Sequence, residues 1–417
     1  MQYELLPSHF LACEYFVMQN VETFPYKATM TTNMSSTGFA DTKRHYPILD
    51  GLRGVAALMV VVFHLFEAHA ASRFVQIINH GYLAVDFFFV LSGFVIGYAY
   101  DDRWRTMTVG EFFKRRLIRL HPMIVVAMLV GAAMFYFQQG TVFPKIQETP
   151  VWLMLAVMVI GMTLLPVRGA LEIRGWGEMH PLNGPAWSLF YEYVGNLLYA
   201  LFVRKFSKAV LGLCVFLAGC ALLHYCVAGP RGDVIGGWSL DPAQVRLGLT
   251  RLLYPFFAGL LLSRVVKVGR VRHAFLLSSA IIVAALAMPR FGGEQALWMN
   301  GLYESVCIIA VFPLVVYLGA SGTVQDGLVA RVCNFLGGIS YPLYITHYPF
   351  VYAYTAWVID NKVSVRDGAP VALATVLLCV LLAHVCLKYY DIPVRQWLTR
   401  RYMGKAVAPA LASKPLV

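Results

Sequence analysis

Apolar residues run through this chain in eleven blocks, at about 48–66, 81–100, 117–137, 150–166, 185–203, 209–227, 250–266, 274–289, 301–319, 334–358 and 370–388. A helix rises about 1.5 Å per residue and about 20 apolar residues cross the hydrocarbon layer, so the pattern predicts an all-α fold, a polytopic transmembrane helical bundle. Lys and Arg collect in cytoplasmic connections and set the orientation. They stand before the first block (Lys43, Arg44), after the second (Arg103, Arg105, Lys114, Arg115, Arg116), and at Arg204, Lys205 and Lys208. Two later basic clusters hold Arg264, Lys267, Arg270 and Arg272, then Arg395, Arg400, Arg401 and Lys405. Three blocks separate the 101–116 loop from the 204–208 loop, whereas two loops on one side need an even number of crossings. The block 150–166, short and bracketed by Pro150 and Pro166, is therefore expected to be re-entrant or to lie against the bundle. That leaves about ten spanning helices. Both termini are then cytoplasmic, with residues 1–43 a tail of disordered composition, 44–400 the membrane domain and 401–417 a second tail.

Polar positions inside the blocks carry the chemistry. In RHYPILDGLRGVAALMVVVFHLFEAH, the residues Asp50, Arg53, His64 and Glu67 share one stripe at ~100° per residue, and Arg53 and His64 lie roughly 16 Å apart along the axis. Ionisable groups in hydrocarbon need a partner or a wet cavity, so a cavity running lengthwise along this helix is expected. Block two places Asp86 on a face with Gly93 and Gly97; the glycines read as packing, and Asp86 as functional. Arg115, Arg116 and Arg119 project together before block three, either as positive-inside anchors or as a phosphate clamp. Ser188, Glu192, Asn196 and Tyr199 form a polar stripe after Trp187, facing a cavity or a neighbouring helix. Ser340, Tyr344 and His347 share a face of GGISYPLYITHYPF, beside Tyr341, where Pro342 and Pro349 would kink the helix. Arg251 and Glu304 read as structural pairing.

Composition narrows the class. Of 417 residues 59% are hydrophobic and 13% charged, which excludes a soluble globular protein. A net charge of +12 would otherwise raise nucleic acid, but these cations sit in short loops beside apolar blocks, so no nucleic-acid partner is expected. The eight cysteines show no CxxC spacing and read as small buried hydrophobes; neither a disulfide nor a metal site is expected. With no soluble catalytic domain and no evident internal repeat, the chemistry belongs within or beside the membrane. By depth, Arg53, Arg115, Arg116 and Arg119 fall at the inner surface, His64, Asp86 and Glu192 in the outer half, and His347 nearer the middle. Such layers suit a long ligand, anionic at one end and reactive at the other, and acyl-coenzyme A has that shape.

Five stretches in order, LDGLRGVAALMVVVFH, VDFFFVLSGFVI, RRLIRLHP, WSLFYEYVGNLLY and GISYPLYITHYPF, resemble the acyltransferase-3 family of integral membrane O-acyltransferases of surface polysaccharides and related glycosides. The resemblance covers about residues 44–400 and implies a ten-helix domain that takes acyl groups from cytoplasmic acyl-CoA. It implies that His64 is catalytic and Arg53 essential, that Arg115 and Arg119 match the arginines before the third helix, and that Trp187, Ser188 and Glu192 match a W-S-L…E element. After Glu192 this chain departs from the commoner pattern, with Tyr193, Val194 and Gly195 where many members are more polar. The expected activity is O-acyl transfer, most simply O-acetyl, in the bacterial inner membrane. The donor is acyl-CoA, expected to be acetyl-CoA, with no permanently bound cofactor, and the acceptor is a glycan or lipid-linked saccharide. Arg53, Arg115, Arg116 and Arg119 would hold the coenzyme phosphates and His64 would act as general base, helped by Glu67, Asp86 or Glu192. Asp50, Glu67, Trp187, Ser188, Ser340, Tyr341, Tyr344 and His347 would line the tunnel. A proton-coupled transporter or flippase using intramembrane His and carboxylates is the rival reading.

Overall fold

The computed structural model describes residues 43, 45–267, 269–324 and 327–403; of the tails expected at 1–43 and 401–417 only Lys43 and residues 401–403 are among these, and Arg401 and Tyr402 close a helix. Among the described residues the chain is helical: α1 (Pro47–Glu67), α2 (Ala84–Tyr100), α3 (Val109–Met134), α4 (Val151–Met162), α5 (Ala186–Leu201), α6 (Lys208–Ala228), α7 (Pro242–Val265), α8 (Ala274–Ala287), α9 (Leu297–Val306), α10 (Phe312–Ser321), α11 (Leu328–Thr346), α12 (Tyr348–Asn361), α13 (Val365–Cys386) and α14 (Ile392–Tyr402). Eight helical stretches have the length and apolarity to cross a membrane, and α4 and α8 are shorter apolar helices. At 12 residues, α4 is well below the length of a spanning helix.

Local chemistry sets the helix boundaries. Thr108 caps α3 with a reciprocal pair of bonds: its Oγ1 accepts from the Glu111 N–H at 3.2 Å, and its own N–H donates to Glu111 Oε2 at 2.8 Å. Ser207 and Ser364 cap α6 and α13 by accepting the Val210 and Asp367 N–H, and the Ser364 hydroxyl also donates to Asp367 Oδ2 at 2.6 Å. The block 334–358 does not form one helix. It breaks at His347, between α11 and α12, where Pro349 lacks the N–H that would bond Ile345. Asn183 donates its side-chain N–H to that freed Ile345 carbonyl at 2.7 Å, so the break is built into the tertiary structure. Pro313 frees the Ile309 carbonyl in the same way, and the Tyr254 hydroxyl donates to it at 2.9 Å.

Two helix pairs form the centre of the bundle, α1 on α11 and α2 on α7. Glycines make both approaches close. A Cβ at Gly93 would overlap the Phe256 carbonyl, and one at Gly259 would overlap the Val90 carbonyl, so α2 and α7 notch into each other. Gly54 stands against the Leu336 carbonyl, and Gly337 stands against Asp50 across the α1–α11 seam. Gly93→Val should therefore destabilise the protein by at least about 1–3 kcal/mol, because backbone, not a flexible side chain, has to move. Thermal unfolding in detergent checks this, with Gly212→Ala, which meets open space inside α6, as the control that does not lower the melting temperature.

Candidate active site

The polar stripe of α1 resolves into two i,i+3 pairs at opposite ends. At one end Arg53 pairs with Asp50, donates from Nε to Ser340 Oγ at 3.1 Å, and has His45 on the far side of Asp50 at 2.8 Å. At the other end His64 Nδ1 lies 2.7 Å from Glu67 Oε2. A carboxylate only accepts, so Nδ1 carries the hydrogen and the neutral ring presents its lone pair at Nε2. The His64 side chain is 16% exposed, held back from solvent yet reachable.

His64 and Glu67 stand on the wall of a cavity of about 590 Å³. Its α1 wall runs from Val60 to Ala68, and its opposite walls are Trp187 and Arg251, then Tyr344, Tyr348 and Tyr352, then Trp176, Glu178 and Trp238. This volume and mixed apolar and polar lining suit a small organic ligand. The expected lengthwise cavity is not what forms here. The cavity lining stops at Val60 and includes neither Asp50 nor Arg53. Below Val60, Gly51 and Gly54 let α11 pack directly on α1, and the polar groups there pair with each other instead of lining space.

His347, at the break between α11 and α12, stacks on His64 with ring centroids 6.0 Å apart, and the Tyr348 ring stands edge-on to His64 at 4.8 Å. His347 Nδ1 faces two backbone carbonyls, Tyr344 at 2.8 Å and Leu343 at 3.2 Å, so it carries the hydrogen. Nε2 is then an acceptor, fully buried and without a partner among the described residues. Tyr344 lines the adjoining wall, whereas Ser188, expected there too, is buried behind it, its hydroxyl bonded to the Tyr344 hydroxyl at 2.8 Å and to the Pro185 carbonyl at 3.0 Å.

Asp86 and Glu192 do not join this group. Asp86 accepts two bonds from the Arg251 guanidinium, at 2.6 and 3.2 Å, both residues being buried. Arg251 also donates to the Gly236 and Tyr82 carbonyls and lies over Trp187 at 5.1 Å. Asp86 thus holds Arg251 against the cavity, not the imidazole. Glu192 accepts from Arg116 Nη2 at 2.5 Å and from Ser92 Oγ at 3.1 Å, and so belongs to the arginine level, not to the level of His64. The reason is helical rise: it lies more than a turn below Trp187 and Ser188. Ser340 joins the same level through Arg53, and Tyr341 turns away to donate to the Leu120 carbonyl at 2.5 Å. Arg119 is surrounded by Arg53, Arg116, Arg395 and Asp50. Arg115 faces other neighbours, Tyr100, Glu111 and Arg103, so the three arginines of α3 do not project as one group.

One wall escaped the sequence reading. In the loop between α4 and α5, Glu178 accepts from the Tyr352 hydroxyl at 2.5–2.6 Å, while Arg174, fully buried, lies 3.5 Å above the Tyr352 ring and donates to Gln138 Oε1 at 2.8 Å. A glutamate and an arginine in a loop carry no periodic signal; the sole hint is the aromatic spacing of Tyr344, Tyr348 and Tyr352. Burial pushes the Glu178 carboxyl up to about 7, and the Arg174 guanidinium and Tyr352 hydroxyl offset this only in part. Folding therefore tightens proton binding, and this contribution is present below the unfolded value of about 4.3 and lost as pH rises through about 7. The melting temperature in detergent should fall between about pH 5 and 8, and Glu178→Gln should flatten that fall.

The profile of the family described as "Acyltransferase domain", acyltransferase-3, matches residues 46–387. The chain belongs to the acyltransferase-3 family. Protein 2 in picA locus of Rhizobium radiobacter is 39% identical over 161 residues, which is 37% of this chain and 80% of that one. O-acetyltransferase OatA of Staphylococcus aureus is 22% identical over 367 residues, covering 85% of this chain and 58% of OatA. A putative O-acetyltransferase of S. aureus strain COL is 24% identical over 377 residues, covering 86% of this chain and 59% of its own length. This acyltransferase-3 chain thus spans under two thirds of both S. aureus proteins. No solved structure matches it. It is an acyltransferase, and its repeated apolar helices make it a multi-pass membrane protein.

Proposed function

We propose that this acyltransferase-3 protein is an inner-membrane O-acetyltransferase, both termini cytoplasmic, moving an acetyl group from acetyl-CoA to a hydroxyl of a glycan or lipid-linked saccharide. The observation that carries the reading is the Glu67–His64 pair on the wall of an aromatic-lined cavity. Glu67 fixes the tautomer, and His64 Nε2 takes the proton of the acceptor hydroxyl as its oxygen attacks the thioester carbonyl. The C–S bond breaks, the thiolate leaves, and His64 returns the proton to it, so the cycle balances. Tyr344, Tyr348 and the three tryptophans of the cavity offer stacking faces to a sugar ring, and Tyr344 and Glu178 offer hydrogen bonds. Arg53, Arg116 and Arg119 bind the phosphates of the donor, and Arg115, which faces Tyr100, Glu111 and Arg103, takes no part in that grip. Supporting this, Arg119 forms no ion pair among the described residues although three guanidiniums surround it. The donor then crosses the sealed α1–α11 level only when that seam opens.

The test is mass spectrometry of surface glycans and secreted glycosides from a deletion strain, alongside purified protein with radiolabelled acetyl-CoA. A lost acetyl increment, restored by the wild-type gene, supports the proposal. Proton-coupled solute flux in liposomes with no acetyl transfer would replace it with the transporter reading.

A further inference from the structure

At the His64 end of the bundle a second polar cluster lies outside the site just described. Asp233, fully buried, is surrounded by three guanidiniums: Arg73 Nη1 at 2.8 Å, Arg290 Nη2 at 3.1 Å and Arg231 Nε at 3.3 Å. One carboxylate does not balance three arginines. The other carboxylate of this neighbourhood, Glu304, is taken up by Tyr82, by Asn300 at 2.6 Å and by the Val234 N–H at 2.8 Å, and even counting it as charged the cations exceed the anions. The imbalance has a structural mark. The Arg290 side chain is only 1% exposed, yet its Nε and Nη1 have no hydrogen-bond partner among the described residues, where Nη2 alone is engaged, by Asp233 and by the Arg231 carbonyl at 2.8 Å. A buried guanidinium with two unmatched nitrogens is costly unless something anionic or a water meets them.

Position narrows the occupant. Arg73 lies two residues beyond Ala71 and Asp233 two residues before Ile235, and both Ala71 and Ile235 line the cavity, so the cluster adjoins the cavity along the chain without lining it. On the same loop as Arg73, Val75 and Ile77 are 65% and 60% exposed, and Phe74 lies between the Arg73 and Arg290 guanidiniums at 5.2 and 5.1 Å. Exposed aliphatic side chains beside arginines, in a bundle that crosses a membrane, are what a lipid with an anionic head meets: chains against Val75 and Ile77, head against the cations. Guanidinium matches phosphate in geometry as well as charge.

We infer that Arg73, Arg231 and Arg290 form a binding site for a lipid-borne phosphate beside the segments that lead into the cavity wall. Two sources carry that chemistry, a polyprenyl phosphate of the kind that bears saccharides and the headgroup of an anionic phospholipid. Arg73 and Arg231 are partly exposed and receive the phosphate first, and the unmatched Nε and Nη1 of Arg290 behind them take up one of its oxygens. The inference stands apart from the acyl-transfer reading, because nothing in it uses His64.

Native mass spectrometry of the purified full-length protein in detergent tests it, with undecaprenyl phosphate, phosphatidylglycerol and phosphatidylcholine added separately. Binding of undecaprenyl phosphate well above both phospholipids, weakened at least tenfold in the Arg73→Gln/Arg231→Gln double variant and falling with added salt, supports a carrier-lipid site. Equal binding of phosphatidylglycerol, with the same losses, supports the headgroup source. A Val75→Ser/Ile77→Ser variant should weaken both lipids while leaving the salt dependence in place. Adducts no more abundant than with phosphatidylcholine, or binding unchanged in a double variant that melts within a few degrees of wild type, would overturn the site. Acetyl-CoA turnover measured on the same preparations reports separately on the proposed enzymatic function.

Discussion

Replacing His64 with alanine is expected to lower acetyl transfer by about 10²–10⁴-fold, the range that a positioned general base contributes. Tautomer geometry is the reason. Glu67 at 2.7 Å from Nδ1 leaves Nε2 as the basic atom, and the ring stands at the cavity wall. Glu67→Gln should cost less, because an amide oxygen still accepts the Nδ1–H but no longer stabilises the imidazolium formed when the hydroxyl proton arrives. The measurement is release of free coenzyme thiol from acetyl-CoA by purified variants, with melting temperatures as the fold control. His347 makes the experiment discriminating. Its Nε2 is also a lone-pair acceptor, and its ring stacks on His64 at 6.0 Å. If His347→Gln abolished turnover while His64→Ala retained it, the base would have to be reassigned one ring away.

What could be read from the chain before its structure was the periodic part. The stripe Asp50, Arg53, His64 and Glu67 exists because helical phase is arithmetic, and in the fold its members pair as i,i+3 neighbours. The packing role of Gly93 followed from its spacing in the same way. Depth was harder to read. Glu192 falls at the arginine level because α5 is only 16 residues long and its start at Ala186 already lies beside the cavity, an offset that no span boundary drawn from hydropathy resolves. The extent of the cavity was also beyond reach, since whether a polar stripe faces water or a close-packed neighbour depends on Gly51, Gly54 and the helix they admit. Glu178 and Arg174 lay outside any pattern. They are tied to Tyr352 across 174 and 178 residues of sequence, and a contact of that separation has no local signature.

Asp86 was read as a partner of the imidazole, and its position against Arg251 leads to a different large effect. Both side chains are buried, and the carboxylate accepts two charge-assisted bonds from one guanidinium that also caps the Gly236 and Tyr82 carbonyls. Removing one member strands the other charge in a low-dielectric setting, and breaking a buried pair in this way costs about 3–5 kcal/mol. Asp86→Leu should therefore lower the melting temperature far more than any catalytic variant, and Arg251→Met should do likewise. The double replacement Asp86→Leu/Arg251→Met should recover most of the loss, since apolar side chains of similar volume no longer need each other. Thermal unfolding of the four proteins in one detergent closes this cycle, and a coupling energy near zero would show that the two side chains act independently. Activity then separates support from chemistry. If the pair only shapes the cavity wall, the double variant keeps measurable thiol release with a raised KM for acceptor, whereas a direct proton-transfer role for Asp86 would leave it as inactive as His64→Ala.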